Sequence, residues 1–119
     1  MPLMTFDEEK FLLIKYSGGA FCDQTALKDE LEATVSQGIA KDTVLVFLGT
    51  MMMYSAEIGI VVQFLKHLQG TGKKLHLVAS NCVCQMLKTI NVHKIPGLEL
   101  HNSLESVQKF FPRIDLSAL

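Results

Sequence analysis

Thr43-Val-Leu-Val-Phe-Leu48 carries five consecutive apolar residues. The run is far short of the roughly 20 residues that cross a bilayer, and also short of the ten to twelve of a buried helix. Side chains alternate along an extended chain, so a strand that is apolar at every position is buried on both faces. Such a strand lies inside a sheet that other elements must cover.

The rest of the chain supplies candidates for that cover. Phe11-Leu-Leu-Ile-Lys-Tyr16 reads as a second strand, joined through Asp7-Glu-Glu-Lys10 to a short strand around Leu3 to Phe6, and Gly18-Gly19 ends it. Asp23 is an N-cap candidate for a helix over Thr25 to Gln37, whose Leu27, Leu31 and Val35 recur at steps of four before Gly38. After Met51 to Ala56 a second helix places Ile58, Val61, Val62, Leu65 and Leu68 on one face and closes at Gly70-Thr-Gly72. Leu75-His-Leu-Val-Ala79 is the next strand, and Ser80-Asn81 can cap a helix over Val83, Met86, Leu87 and Ile90. Pro96-Gly97 turns into a short strand at Leu98 to Leu100. Asn102 with Glu105 then has the form of a capping box for a last helix bearing Leu104, Val107, Phe110 and Phe111. Alternation of strands and helices after a first hairpin predicts one α/β domain, residues 1–119. Its sheet is mixed and mostly parallel, of about 4–5 strands, with about four helices covering both sides.

Composition narrows function. A chain that is 49% apolar and 19% charged, with a net charge of −1, is neither disordered nor basic enough for nucleic acid. Partners are then proteins or small ligands. No apolar run is long enough to insert in a membrane, and acids stand near the start where a signal peptide would be basic, so a cytoplasmic protein is expected. Three cysteines, two of them at Cys82 and Cys84, are read as small buried thiols. Cys82 near a helix amino end is the one candidate for a redox or sulfur-carrier site. The histidines show no helix-turn spacing for a metal, and no phosphate-cradling glycine loop precedes a helix, so no cofactor is expected.

Tyr54-Ser55-Ala56-Glu57 falls at a strand's carboxyl end and a helix's amino end, where open α/β sheets tend to meet ligands and partners. Tyr16-Ser-Gly-Gly19, the strand ending at Leu48-Gly49, Ser55-Ala-Glu-Ile-Gly-Ile60, and Lys73-Lys-Leu-His-Leu-Val-Ala-Ser80 running on to Asn102-Ser-Leu-Glu-Ser-Val107 occur in an order that resembles the sulfate transporter and anti-sigma factor antagonist (STAS) domain. The resemblance covers nearly the whole chain. It implies a bacterial, non-enzymatic module that regulates sigma factors by binding an anti-sigma factor that is also a serine kinase, or other STAS proteins, with a homodimer open as well.

The family's signature runs roughly Asp-Ser-Ser-Gly-Leu-Gly-Val, its second serine being phosphorylated. Aligned through Gly59, the acceptor position is Ala56, which has no hydroxyl, and Ser55 is the remaining serine. Acids that the family places nearby fall on Cys22, Val46 and Tyr54. The usual phosphorylation switch is therefore expected to be absent. Glu57 is read as an ordinary acid on the first helical turn or as a fixed stand-in for phosphate, and Ser55 as an N-cap or an acceptor. Cys22, Asp23, Met53, Tyr54, Ser55, Glu57 and Ile58 form the expected partner face. Two other readings stay open: an accessory subunit of a lipid or anion transport system, with an apolar pocket near Met51 to Tyr54, and a thiol protein acting through Cys82.

Overall fold

A computed structural model of the protein describes residues 3–7, 11–16, 24–38, 41–47 and 55–111. Among them the strands are β1 (Leu3–Asp7), β2 (Phe11–Tyr16), β3 (Asp42–Phe47), β4 (Leu75–Ala79) and β5 (Leu98–His101). The helices are α1 (Gln24–Ser36), α2 (Ser55–Gly70), α3 (Asn81–Thr89) and α4 (Leu104–Gln108), with a 3-10 turn over Val92–Lys94. One sheet holds the strands in chain order, β1-β2-β3-β4-β5. β1 lies antiparallel to β2, with Leu3 opposite Tyr16, and the other neighbours are parallel.

Chain order within the sheet decides where the helices go. Three right-handed crossovers that all step the same way put their helices on one side. Leu27 and Leu31 of α1, Val61, Phe64, Leu65 and Leu68 of α2, and Val83 and Leu87 of α3 accordingly share a core with Leu12, Ile14, Leu45, Phe47, Leu75 and Leu77. The opposite face is smaller: Phe11, Leu13, Val44, Val46 and Val78 pack with Val107 of α4 and, at its margin, Leu104 and Phe111. Both faces are covered, as the apolar run in β3 requires, and no residue from Thr43 to Phe47 is more than 2% exposed. The cover is unequal, three helices against one short one.

Several helical faces are rotated from the sequence reading. In α1 the third inward position is Thr34, 4% exposed, while Val35 is 38% exposed. Seven residues make almost two full turns, so Thr34 lies about 20° from Leu27 and Val35 about 80°. The buried Thr34 hydroxyl donates to the Glu30 carbonyl at 3.0 Å. In α2 the buried set is Glu57, Val61, Phe64, Leu65 and Leu68, with Ile58 and Val62 half-buried. At the start of α4 the cap is Ser103, not Asn102: its hydroxyl accepts from the Ser106 N–H at 3.3 Å, and Asn102 instead donates to Asn81 Oδ1 at 3.2 Å. Ser80 caps α3 as expected, accepting from the Val83 N–H. α4 ends at Gln108, leaving Phe110 beyond it and 54% exposed.

Candidate functional site

The amino end of α2 carries the described half of the expected partner face. Ser55 is the first helical residue, and Ser55, Ala56 and Gly59 are exposed. Cys22, Asp23, Met53 and Tyr54 lie outside the described residues, as do Met51 and Met52.

Glu57 lies on the first turn of α2, as one of its two readings has it, but it is buried there. Its residue is 5% exposed, and Oε2 has no hydrogen-bond partner among the described residues. The helix turns it inward: position 57 lies about 40° from Val61 around the axis, against about 60° on the other side for Ile58. A carboxylate in that position presents almost no surface to a partner, and it is not a surface stand-in for phosphate. Ile58 packs against the larger core from a half-buried position. Gly59 has open space around it, since a Cβ built there meets nothing within 4 Å.

At the β5 end of the sheet two buried histidines meet. The parallel register sets His76 against Glu99 and Val78 against His101, so His101 is on the diagonal from His76 on the same face. His76 Nδ1 lies 3.1 Å from His101 Nε2, and His101 Nδ1 lies 2.7 Å from Ser106 Oγ in α4. The imidazoles are stacked, their centroids 5.4 Å apart, with Phe110 4.9 Å and Phe111 5.0 Å from the His76 ring. Burial disfavours the charged form of both. It brings His76 from 6.5 down to about 4, helped by the neighbouring His101 and by Lys74 and opposed by Glu99 and Asp42. His101 is lowered for the same reason, with Glu99 opposing. Position 76 is thus the hydrogen-bonded strand residue expected of it. His101, expected in a loop, is instead the buried end of β5. The side chain of His93 lies outside the description.

The thiols also differ from expectation. Cys84 is buried, its Sγ 3.6 Å from the Ala79 carbonyl and 3.5 Å from that of His101, and burial raises its pKa. Cys82 is exposed, so only one of the two is a small buried thiol. Among the described residues no group of three or more His, Cys, Asp or Glu side chains is arranged to hold a metal. None of their helices is long and apolar enough to cross a membrane. A groove of about 360 Å³ separates α1 from α2, lined by Leu31, Val35, Ile60 and Phe64 with Lys28 and His67 among its polar residues.

No protein-family model matches the chain, and no curated protein matches it in sequence. In structure it has the fold of the anti-sigma factor antagonists, the STAS fold. A Thermotoga maritima protein described as an anti-sigma factor antagonist superposes with a TM-score of 0.77 at 16% identity, over 93% of this chain and 95% of that one. An anti-sigma factor antagonist from Mycobacterium paratuberculosis gives 0.74 at 16% identity, over 91% of each chain. SpoIIAA, an anti-sigma factor antagonist, gives 0.69 in its unphosphorylated form at 14% identity, over 95% of this chain and 99% of its own.

Proposed function

We propose that the protein is a regulatory interaction module of the anti-sigma factor antagonist kind. It engages a protein partner, an anti-sigma factor with kinase character or other STAS proteins, through the amino end of α2. Ser55, Ala56 and Gly59 form its described part, and this reading assigns Cys22, Asp23, Met53 and Tyr54 to the same face. Glu57 is buried behind this face, and Ile58 packs on the larger core. One observation carries the reading: in this fold the exposed start of α2 presents a methyl group, Ala56, where the resemblance puts the phosphoacceptor. Phosphate acts at such a surface by adding about 1.5 to 2 negative charges, and a methyl group gives it no attachment point. Binding is accordingly not switched at position 56.

Gly59→Arg tests the face. The added side chain points into open space, so the domain stays folded while the surface acquires bulk and charge. Ile58→Asp is the weaker probe, because Ile58 packs on the core and its loss would confuse folding with binding. Affinity capture from lysate of the native organism is expected to recover an ATPase of the histidine-kinase type or other STAS proteins with the wild type and to lose them with Gly59→Arg. Transporter subunits in the capture, or a partner retained by Gly59→Arg, would overturn the assignment.

A further inference from the structure

Ser106, His101 and His76 form a hydrogen-bonded series on one face of the sheet, running from the carboxyl end of β5 to the second residue of β4, remote in sequence from the start of α2. The outermost member, Ser106, is half-buried and lines a cleft of about 230 Å³ together with Asn81, Gln85, Lys88, His101 and Asn102. Amides, a hydroxyl, an imidazole, one ammonium group, the Cys84 thiol and Leu100 line this space, and none of its lining side chains is a carboxylate. The innermost member, His76, is buried under Phe110 and Phe111 and is not part of the cleft wall. Ser103 fixes the Ser106 backbone by capping its N–H at 3.3 Å. The order from solvent inward is hydroxyl, imidazole, and a third group that holds the imidazole, the arrangement in which a serine becomes a nucleophile.

We propose that Ser106 is a reactive serine that accepts an acyl group from small activated esters, with His101 as its base and His76 as the positioning residue. In the working tautomer His101 Nε2–H donates to His76 Nδ1, which leaves His101 Nδ1 free to accept the Ser106 hydroxyl proton. Ser106 Oγ attacks the ester carbonyl and forms a new C–O bond while His101 takes the proton. The bond to the leaving oxygen then breaks, the leaving group departs as the alcohol or phenol with the proton from His101, and Ser106 carries the acyl group. No oxidant or further reactant is needed. Lys88, the cation in the cleft wall, favours donors whose leaving group develops negative charge. The cleft volume is below the roughly 300 Å³ at which drug-sized ligands begin, which selects acyl groups of a few atoms.

The test is acylation of the full-length chain by p-nitrophenyl acetate, with the adduct located by peptide mass spectrometry and p-nitrophenol release followed in time. One acetyl group on Ser106 is expected, absent in Ser106→Ala, with the rate reduced roughly 100-fold in His101→Gln. In the wild type the rate should rise with a group titrating below the ordinary histidine range and level off at neutral pH; in His76→Asn this inflection should move. An adduct confined to lysines, Cys82 or the cleft's own Cys84, no adduct, or a Ser106 rate that climbs in proportion to hydroxide throughout would each overturn the proposal. The wild-type pH profile and Ser106→Ala decide it even where a histidine variant fails to fold.

Discussion

Glu57 and His76 are the two residues whose surroundings deviate most from their chemistry. An acid on an exposed first turn contributes about 0.3–1 kcal/mol through the helix dipole, whereas a buried polar atom left without a partner costs about 1–3 kcal/mol. Because Glu57 is buried with Oε2 unpartnered, Glu57→Met is expected to raise stability by about 1 kcal/mol in urea denaturation. A loss of stability would show that the carboxylate is satisfied in solution. His76 predicts a pH dependence. Its folded pKa is depressed from 6.5 to about 4, so between those values the unfolded chain binds the proton and the folded one does not. The stability present at pH 7 is then lost as pH falls through this window, by roughly 3 kcal/mol if the whole depression is realised. Thermal midpoints between pH 7 and pH 4 should fall less steeply in His76→Phe than in the wild type. The groups facing this pair are Glu99, Asp42 and Lys74, and the His101 imidazole adds to the effect with the same sign.

The helices show what periodicity conveys and what it omits. A repeat of four identified α1 and α2 and placed Leu27, Leu31, Val61, Leu65 and Leu68 inward. It did not distinguish Val35 from Thr34, or Ile58 from Glu57, because polarity argued against the members that helical geometry favours. Ser103 displaced Asn102 as a cap by one position, which composition cannot resolve when both residues are good caps. Ser103→Ala should destabilise by about 1 kcal/mol through the lost bond to Ser106 N–H, readable as a lower denaturation midpoint. Gly59 has the opposite sign. It lies inside α2 with room for a Cβ, so Gly59→Ala should stabilise by about 0.5–1 kcal/mol. An unchanged or lowered midpoint would mean that the space is filled in solution.

For the whole molecule, the apolar run of β3, a strand buried on both faces, predicted most of the architecture. Order and type of elements followed from local patterns, and so did the mostly parallel sheet, since each strand after the first is followed by a helix. Which side each helix covers was not legible, because that depends on strand order, and strand order is set by contacts between distant segments. The His76, His101 and Ser106 series escaped for the same reason: its members are joined by the β4–β5 register and the path of α4, and no sequence spacing signals it. The unequal layers imply unequal local stability. Amides of β3 should exchange with deuterium slowest and those of α4 early, with acid accelerating α4 first as the histidine pair takes up protons. Uniform exchange across both layers would contradict this.

Strands laid down in chain order also mean that the direction of winding never reverses. Open α/β proteins place nucleotides in the crevice created by such a reversal, and here that crevice has no place to form. At the start of α2, Ser55, Ala56 and Gly59 lie exposed on the surface instead. Exposed side chains of this kind can be exchanged while the framework beneath stays as it is. A change confined to position 56 would then alter the surface of α2 and leave the packed layers untouched.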